Sequence, residues 1–187
     1  MQKFFMNREL AERLGLPLSR WKRWSREFLP PDPLGGLQSG YARQYSLRDA
    51  FAVYLGGYLV AGMGFSIPEA RRILQDLNGW LKKNIIPNFD AAAAGEGAPG
   101  EEGGRIAILI QPSQGRTLPA YTYRIRTLAA RTQGHGGDPP LWQQTYHEAI
   151  LKPGEPLVTP GFPSCARHLD LSAVARRFFE CLMKSSP

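Results

Sequence analysis

The sequence contains few cysteines and histidines, and this scarcity argues against several classes of protein. Cys165 and Cys181 are the two cysteines in 187 residues, and there are three histidines. Two cysteines are too few for a disulfide framework and fit a reducing compartment, although one bridge between them stays open. Together with His168 they supply zinc-binding donor types, but their spacing matches no established metal pattern. We predict structural cysteines, no metal site and no cofactor.

The sequence also lacks an apolar segment that could cross a bilayer and a recognisable export signal. The longest apolar run, residues 50–65, is interrupted by glycines and falls short of the ~20 residues that a spanning helix needs. The N-terminus reaches Lys3, Arg8 and Glu9 before the core of a signal peptide could form. We therefore expect a cytoplasmic protein with no membrane association, whose apolar run forms a buried helix.

No catalytic motif is recognisable in the sequence. It contains no Ser/His/Asp order of a known triad, no P-loop and no HExxH motif, so we predict that the protein is not an enzyme. Tyr121, Tyr123 and Trp142 could line a small-molecule pocket, but aromatic residues in strands more often belong to the core. A small-molecule effector of unknown identity therefore stays open.

Positive charge is concentrated in the first part of the chain. The net charge is +7, and residues 1–83 carry 13 Lys and Arg against 7 Asp and Glu. Residues 84–187 are nearly balanced, with 10 against 9. This distribution favours a polyanionic partner for the N-terminal part.

Two short helices separated by a turn are predicted near the N-terminus. Asn7 can cap the first, and Gly15 supplies a left-handed residue at its end. The second runs from Leu18 to Phe28. Its apolar residues share one face, while the opposite face is cationic; the apolar set is Leu18, Trp21, Trp24 and Phe28. For an isolated helix, a solvated basic surface would explain this pattern equally well.

A segment rich in proline and glycine follows, and then two capped helices. Residues 29–45 contain too many helix breakers for a helix, and residues 40–45 alternate like one arm of a small hairpin, so we predict a wing. Ser46 and Asp49 then resemble a capping box that opens a helix to about Val60. Ser66 and Glu69 form a second box before another amphipathic helix.

The remaining sequence predicts a linker and a second, α+β module. Residues 90–104 hold no bulky apolar side chain and should form a flexible connection. Beyond them, strands are predicted at residues 106–110, 121–128, 142–151 and 157–158, and a helix capped by Asp170 or Ser172 follows. The predicted domains are residues 1–86, a linker at 87–104, and residues 105–187 as a dimerisation or sensing module.

These features together resemble the MerR family of bacterial transcription regulators. The resemblance lies in the order of the elements: helix, short turn, basic helix, a Gly-Tyr-x-Arg-x-Tyr wing from Gly40 to Tyr45, and a Ser-x-x-Asp helix start. Residues 62–74 are also similar to the family's Gly-Phe-Ser-Leu-x-Glu-Ile motif. The match covers residues 4 to about 78. It implies a winged helix-turn-helix domain that binds double-stranded DNA.

The resemblance implies a second helix in the major groove, a wing over the flanking backbone, and a dimer on a palindromic site. From the second helix it assigns DNA contacts to Ser19, Arg20, Lys22, Arg23 and Arg26. In or behind the wing it assigns Tyr41, Arg43 and Tyr45. Arg48, at the start of the next helix, is a further phosphate candidate. Trp21 and Trp24 share the apolar face, so we predict that they belong to the core.

The sequence departs from the family pattern after the fourth helix. Typical members continue directly into a long dimerising helix, whereas here Pro87 and the Gly/Ala-rich stretch interrupt the chain. We therefore expect a homodimer formed by the C-terminal module, through its strands or through the helix at residues 171–183. An excisionase-like or partition-like architectural role on DNA is the main alternative function. Protein or RNA binding by the basic face is the third.

Overall fold

Helices and antiparallel sheets both occur in the computed structural model, which describes residues 4–32, 43–87, 89, 105–114, 120–133, 142–152, 154–155 and 165–183. The α+β class is therefore confirmed. The chain forms two compact units, one from Met1–Ala98 with Val174–Pro187 and one from Pro99–Ala173. The elements are β1 (Phe5–Met6), α1 (Asn7–Arg13), α2 (Leu18–Phe28), β2 (Gln44–Tyr45), α3 (Leu47–Ala61), α4 (Ile67–Asn84), β3 (Ile106–Pro112), β4 (Tyr121–Gln133), β5 (Trp142–Leu151), β6 (Arg167–Asp170) and α5 (Leu171–Met183).

The four helices before residue 87 begin and end close to where the sequence predicts. Gly15 has a φ of 64° after α1, which is the left-handed conformation expected of it. Both predicted capping boxes are confirmed: the Ser46 hydroxyl accepts from the Asp49 N–H, and the Ser66 hydroxyl from the Glu69 N–H. These local signals set the helix boundaries.

Asn7 has a different role from the predicted one. It is the first residue of α1, and the capping position belongs to Met6, which makes no side-chain hydrogen bond to the helix. The Asn7 side chain instead accepts a 2.6 Å hydrogen bond from the Tyr45 hydroxyl. The prediction of an Asn7 cap was wrong, because Tyr45, distant in the sequence, engages the amide oxygen.

A two-stranded sheet that the sequence did not predict joins the end of the predicted wing region to the residues just before α1. β1 pairs antiparallel with β2, so Phe5 lies opposite Tyr45 and Met6 opposite Gln44. Residues 33–42, which include most of the predicted wing, lie outside the described residues. The last residues of the predicted wing, Gln44 and Tyr45, are therefore held beside the start of α1.

The apolar run at residues 50–65 forms most of α3, and most of its large side chains are buried, as predicted, although Tyr58 is exposed. Its side chains make up much of the first unit's core; fully or almost fully buried are Ala50, Phe51, Val53, Leu55 and Leu59. No helix among the described residues combines the length and the apolar character needed to cross a membrane.

The second unit contains a four-stranded antiparallel sheet in the order β5, β4, β3, β6. The predicted strands at 106–110, 121–128 and 142–151 are confirmed, and β4 continues to Gln133. The sequence did not predict β6, and the predicted strand at 157–158 lies outside the described residues. One face of the sheet forms the core of this unit, with Ile108, Ile110, Tyr123 and Leu169 almost completely buried.

Asp170 caps α5, as one of the two alternatives predicted. Its carboxylate accepts a 3.0 Å hydrogen bond from the Ala173 N–H and forms an ion pair with Arg105. Burial would raise the pKa of Asp170, but the hydrogen bonds from Arg105 and Ala173 lower it below its ordinary value. Ser172, the other candidate, accepts a 2.8 Å hydrogen bond from the Ile106 N–H instead.

The later part of α5 contributes to the core of the first unit. The Phe178 ring lies 5.3 Å from that of Phe51 and 6.0 Å from that of Phe89, measured between centroids, and Phe179 stacks on Phe89 at 6.3 Å. The sequence-based division assigns these residues to the second module. The structure differs because this amphipathic helix buries its aromatic face against α3 and the segment after α4.

Replacing Phe178 with alanine should destabilise the first unit strongly. The ring is completely buried among three other aromatic rings, so its removal leaves a cavity and should cost about 3–5 kcal/mol. Urea denaturation followed by tryptophan fluorescence measures the effect. Glu180→Ala, on the exposed side of the same helix, is the control and should change stability by less than about 0.5 kcal/mol. Equal stability of the two variants would contradict this role of α5.

Candidate nucleic-acid interface

Helix α2 separates its buried and exposed side chains into two opposite faces. Trp21 is 0% and Trp24 is 8% exposed, which confirms the prediction that both belong to the core. The other face carries all the α2 residues assigned to DNA contact, and each of them is exposed: Ser19, Arg20, Lys22, Arg23 and Arg26. This face presents four cationic side chains to solvent from eleven residues of helix.

Two glycines in α3 allow α2 to lie directly against its backbone. A Cβ placed on Gly57 would lie 2.2 Å from the Trp24 ring, and one on Gly56 would lie 2.6 Å from the Phe28 ring. Both distances are too short for any real side chain. The aromatic face of α2 therefore packs on the bare backbone of α3, and this contact fixes which side of α2 faces solvent.

Tyr45 supports the interface from within the core. Its side chain is 1% exposed, and its ring packs edge-on against Trp21 with centroids 5.6 Å apart. Its hydroxyl lies 2.7 Å from that of Ser25 in α2 and donates to the Asn7 amide oxygen. The sequence placed Tyr45 in or behind the wing and among the DNA-contacting residues. The ring is almost completely buried, and its hydrogen bonds tie α1, α2 and β2 together.

Arg43 connects β2 to the chain that leaves α2. Its guanidinium donates a 3.0 Å hydrogen bond to the Pro30 carbonyl, lies 4.0 Å from the Asp32 carboxylate and sits over the Tyr45 ring. About 21% of its side chain is exposed. Part of its hydrogen-bonding capacity thus holds the local structure, while its edge remains accessible. Tyr41, the other wing candidate, lies outside the described residues.

Two neighbouring grooves extend the basic surface beyond α2, and Arg26 contributes to both. The first, of about 760 Å³, is lined by predicted residues from α2, from β2 and from the residue before β2, namely Ser19, Lys22, Arg26, Arg43 and the edge of Tyr45. The second, of about 960 Å³, brings Arg26 together with Arg48, the exposed phosphate candidate at the start of α3. Arg20 and Arg23 lie on the exposed face of α2 but line neither groove.

The second groove contains basic residues that the sequence analysis did not identify. Arg71 and Lys82, both in α4, line it beside Arg48. Arg71 forms an ion pair with Glu27 and donates a 2.7 Å hydrogen bond to the Glu27 carbonyl, so it joins α4 to the end of α2. No local pattern marks these two residues, because only the packing of α4 against α2 brings them to this groove.

The cationic side chains of α2 have no ion-pair partner in the part of the chain that the structure describes. Among the described residues, the ion pairs involve other cations, and none joins a carboxylate to Arg20, Lys22, Arg23 or Arg26. Exposed guanidinium groups without a described ion pair keep their donors available for phosphate oxygens or base edges. The face is therefore suited to a polyanion.

The aromatic and cysteine residues considered for a small-molecule or metal site do not lie on the α2 surface. Tyr121 and Tyr123 are buried in the core of the second unit, as the commoner interpretation of such residues predicts, and the side chain of Trp142 lies outside the described residues. Cys165 is exposed, and Cys181 is half-buried in α5. Within the described part of the chain, no three His, Cys, Asp or Glu side chains are grouped closely enough to hold a metal ion.

Comparison of the chain with protein-family models, with curated proteins and with solved structures gives no match.

Substituting Gly57 with alanine should disturb the packing of α2 against α3. The added methyl group would overlap the Trp24 ring, so we expect a loss of about 1–3 kcal/mol in the free energy of unfolding. Gly79→Ala is the matched control, because it introduces the same group into α4 where no atom lies within 4 Å. That variant should gain roughly 0.5–1 kcal/mol. Scanning calorimetry of both proteins measures the difference, and a stabilised Gly57→Ala protein would disprove the close contact.

Proposed function

We propose that the protein is a sequence-specific regulator of transcription that binds double-stranded DNA through α2. In this proposal residues 4 to about 78 act as a MerR-like winged helix-turn-helix, and the protein works in the cytoplasm as a dimer on a palindromic site. It acts by binding and not by catalysis. A small-molecule effector remains an open part of the proposal.

The observation that carries the proposal is the polarity of α2. Its aromatic side chains are buried against α3, while Arg20, Lys22, Arg23 and Arg26 project together into solvent without carboxylate partners among the described residues. A solvated surface helix needs no such concentration of positive charge: the one acid of α2, Glu27, pairs with Arg71 of α4, and like charges at neighbouring positions repel one another. A polyanion would relieve that repulsion, and an exposed helix of this width fits the major groove.

Different residues of this surface suit different contacts. Arg23 and Arg26 lie near the centre of the exposed face, where a bidentate guanidinium can read the O6 and N7 atoms of guanine. Arg43 and Arg48 lie at the flanks, on the base of the predicted wing and at the start of α3, and they suit phosphate contacts that fix the orientation. Arg71 and Lys82 in the second groove could extend the path of the backbone.

Selection from random duplexes is the direct experiment for this proposal. The full chain is incubated with a random duplex pool, and the bound fraction is sequenced after several rounds at fixed salt. Enrichment of one inverted-repeat motif is the expected result. Absence of any enriched motif would refute sequence-specific binding, and stronger competition by RNA than by duplex DNA at matched salt would favour an RNA partner instead. Occupancy in cells confined to recombination or replication sites would favour the architectural role.

Arg23→Ala and Arg26→Ala should each weaken binding to the selected duplex. Loss of a base contact should cost about 1–3 kcal/mol, and loss of a phosphate contact should reduce the dependence of affinity on salt by about one counterion. Fluorescence anisotropy at several salt concentrations distinguishes the two effects.

Arg176→Ala is the control, because this arginine is exposed on α5 and its removal changes the net charge by the same amount. It should leave affinity and salt dependence almost unchanged. Equal losses in all three variants would mean that overall charge, and not the face of α2, governs binding.

A further inference from the structure

We propose that the outer edge of β5 is a self-association surface, where β5 pairs antiparallel with β5 of a second copy and continues the sheet across a two-fold axis. The occupant of this surface is therefore the chain itself. The proposal gives a physical basis to the dimer of the proposed function, but it concerns the free protein and does not depend on DNA binding.

The outer edge of β5 has no strand partner among the residues that the structure describes. β5 is the last strand of the sheet and pairs with β4 on one side, while no described strand pairs with its other side. The strand is ten residues long, and all side chains from Gln144 to Ile150 are exposed. An edge of this length presents a row of backbone N–H and C=O groups that another strand can satisfy.

The exposed side chains of β5 include large apolar groups on one face. Tyr146 is 40% and Ile150 is 52% exposed, and they lie four residues apart on the same face of the strand. Leu128 lies opposite Tyr146 in β4 and adds to this face. Strand pairing with a second copy would cover apolar surface as well as the backbone edge.

The two edges of the sheet differ in how they are protected. β6, at the other edge, has four residues and passes directly into α5, and its last residue Asp170 is held by Arg105. β5 contains no proline and no lysine, which are residues that commonly prevent pairing at natural sheet edges. Among the described residues, the long edge is therefore the less protected of the two, although its pairing with β4 has one irregularity, between Leu128 and Ala130.

The charge on β5 does not oppose self-association. Glu148 is the single acidic residue of the strand, and its carboxylate lies 2.6 Å from Arg126 and 3.5 Å from Arg124, both in β4. The hydrogen bond from Arg126 lowers the pKa of Glu148, so the carboxylate is ionised and paired with its own chain. This carboxylate is therefore already paired within its own chain before two copies meet.

Geometry restricts the register of such a pair. Directly opposed residues of an antiparallel ladder point to the same face, so a two-fold axis perpendicular to the sheet must bring one residue opposite its own copy. Centring on Glu148 would oppose two carboxylates. Centring on Tyr146 pairs the two tyrosines and places Gln144 opposite Glu148 of the other copy, where an amide N–H can donate to a carboxylate. We infer the register centred on Tyr146.

The edge of β5 is a better candidate for the dimer contact than the helix at residues 171–183, which was the alternative. The helix at residues 171–183 uses its apolar face within its own chain, with Phe178 completely buried against Phe51 and Phe89. That face is therefore not available to a partner. β5 offers identical and self-complementary edges on both copies, which is the requirement for an isologous two-fold contact.

Tyr146→Lys should convert the dimer into a monomer. It would oppose two lysines across the axis, and a lysine on a sheet edge disfavours pairing. Sedimentation of the full wild-type chain without DNA, at tens of micromolar, should give twice the mass of one chain, and the variant should give about half the wild-type value. Tyr58→Lys is the control, because Tyr58 is equally exposed, at 39%, but lies on α3; it should remain dimeric.

A cysteine at the axis tests the register even if the lysine variant does not fold. In a Cys165→Ser background, Tyr146→Cys should form a disulfide-linked dimer under mild oxidation, since opposed residues have Cα atoms within disulfide range. His147→Cys, one position away, should not. Preferential linkage through position 147, or none through either position, would overturn the proposed register.

A monomeric wild-type chain, or a Tyr146→Lys chain that remains dimeric and folded, would overturn the proposal as a whole. A monomer that still binds the selected duplex would leave the proposed DNA binding intact. A stable dimer that binds no duplex would support self-association through β5 while the proposed function failed.

Discussion

The contact between the Trp24 ring and the backbone of Gly57 determines how the first unit presents α2. Because the ring lies where a Cβ would otherwise stand, α2 cannot rotate without opening a gap over α3 or colliding with it. Burial of Trp21 on the same face adds to this constraint. The exposure of Lys22, Arg23 and Arg26 is thus a consequence of packing. When the aromatic face of α2 packs against α3, the opposite face, which carries these residues, must face solvent.

The parts of this arrangement that could be predicted depend on residues within one or two helical turns of each other. The capping boxes at Ser46 and Ser66, the left-handed Gly15 and the two faces of α2 all belong to this class. Each of these features depends on interactions between residues that are close in the sequence. The sequence alone is therefore enough to predict it. For the same reason the five candidate residues on α2 could be placed on one exposed face.

The parts that could not be predicted depend on residues that are distant in the sequence. The local sequence predicts Tyr45 as a wing residue, but its hydroxyl donates a hydrogen bond to Asn7, 38 positions earlier. In the same way, β1 forms only because it pairs with β2. The amphipathic pattern of α5 shows that one face is buried but does not identify its partner. Phe51 and Phe89 supply that partner, and the predicted division at residue 105 therefore differs from the observed units.

The exposed face of α2 and the exposed edge of β5 are accessible for different physical reasons. A helix satisfies most of its backbone hydrogen bonds internally, so α2 can leave charged side chains in water at little cost, and what it offers a partner is charge. A sheet edge leaves backbone groups free for another strand, and β5, whose outer side has no described strand partner, combines such an edge with the exposed Tyr146 and Ile150. Salt screens the first kind of contact strongly, whereas hydrogen bonding and apolar burial are far less sensitive to it. Contacts proposed for the two surfaces should therefore differ in how strongly they depend on ionic strength.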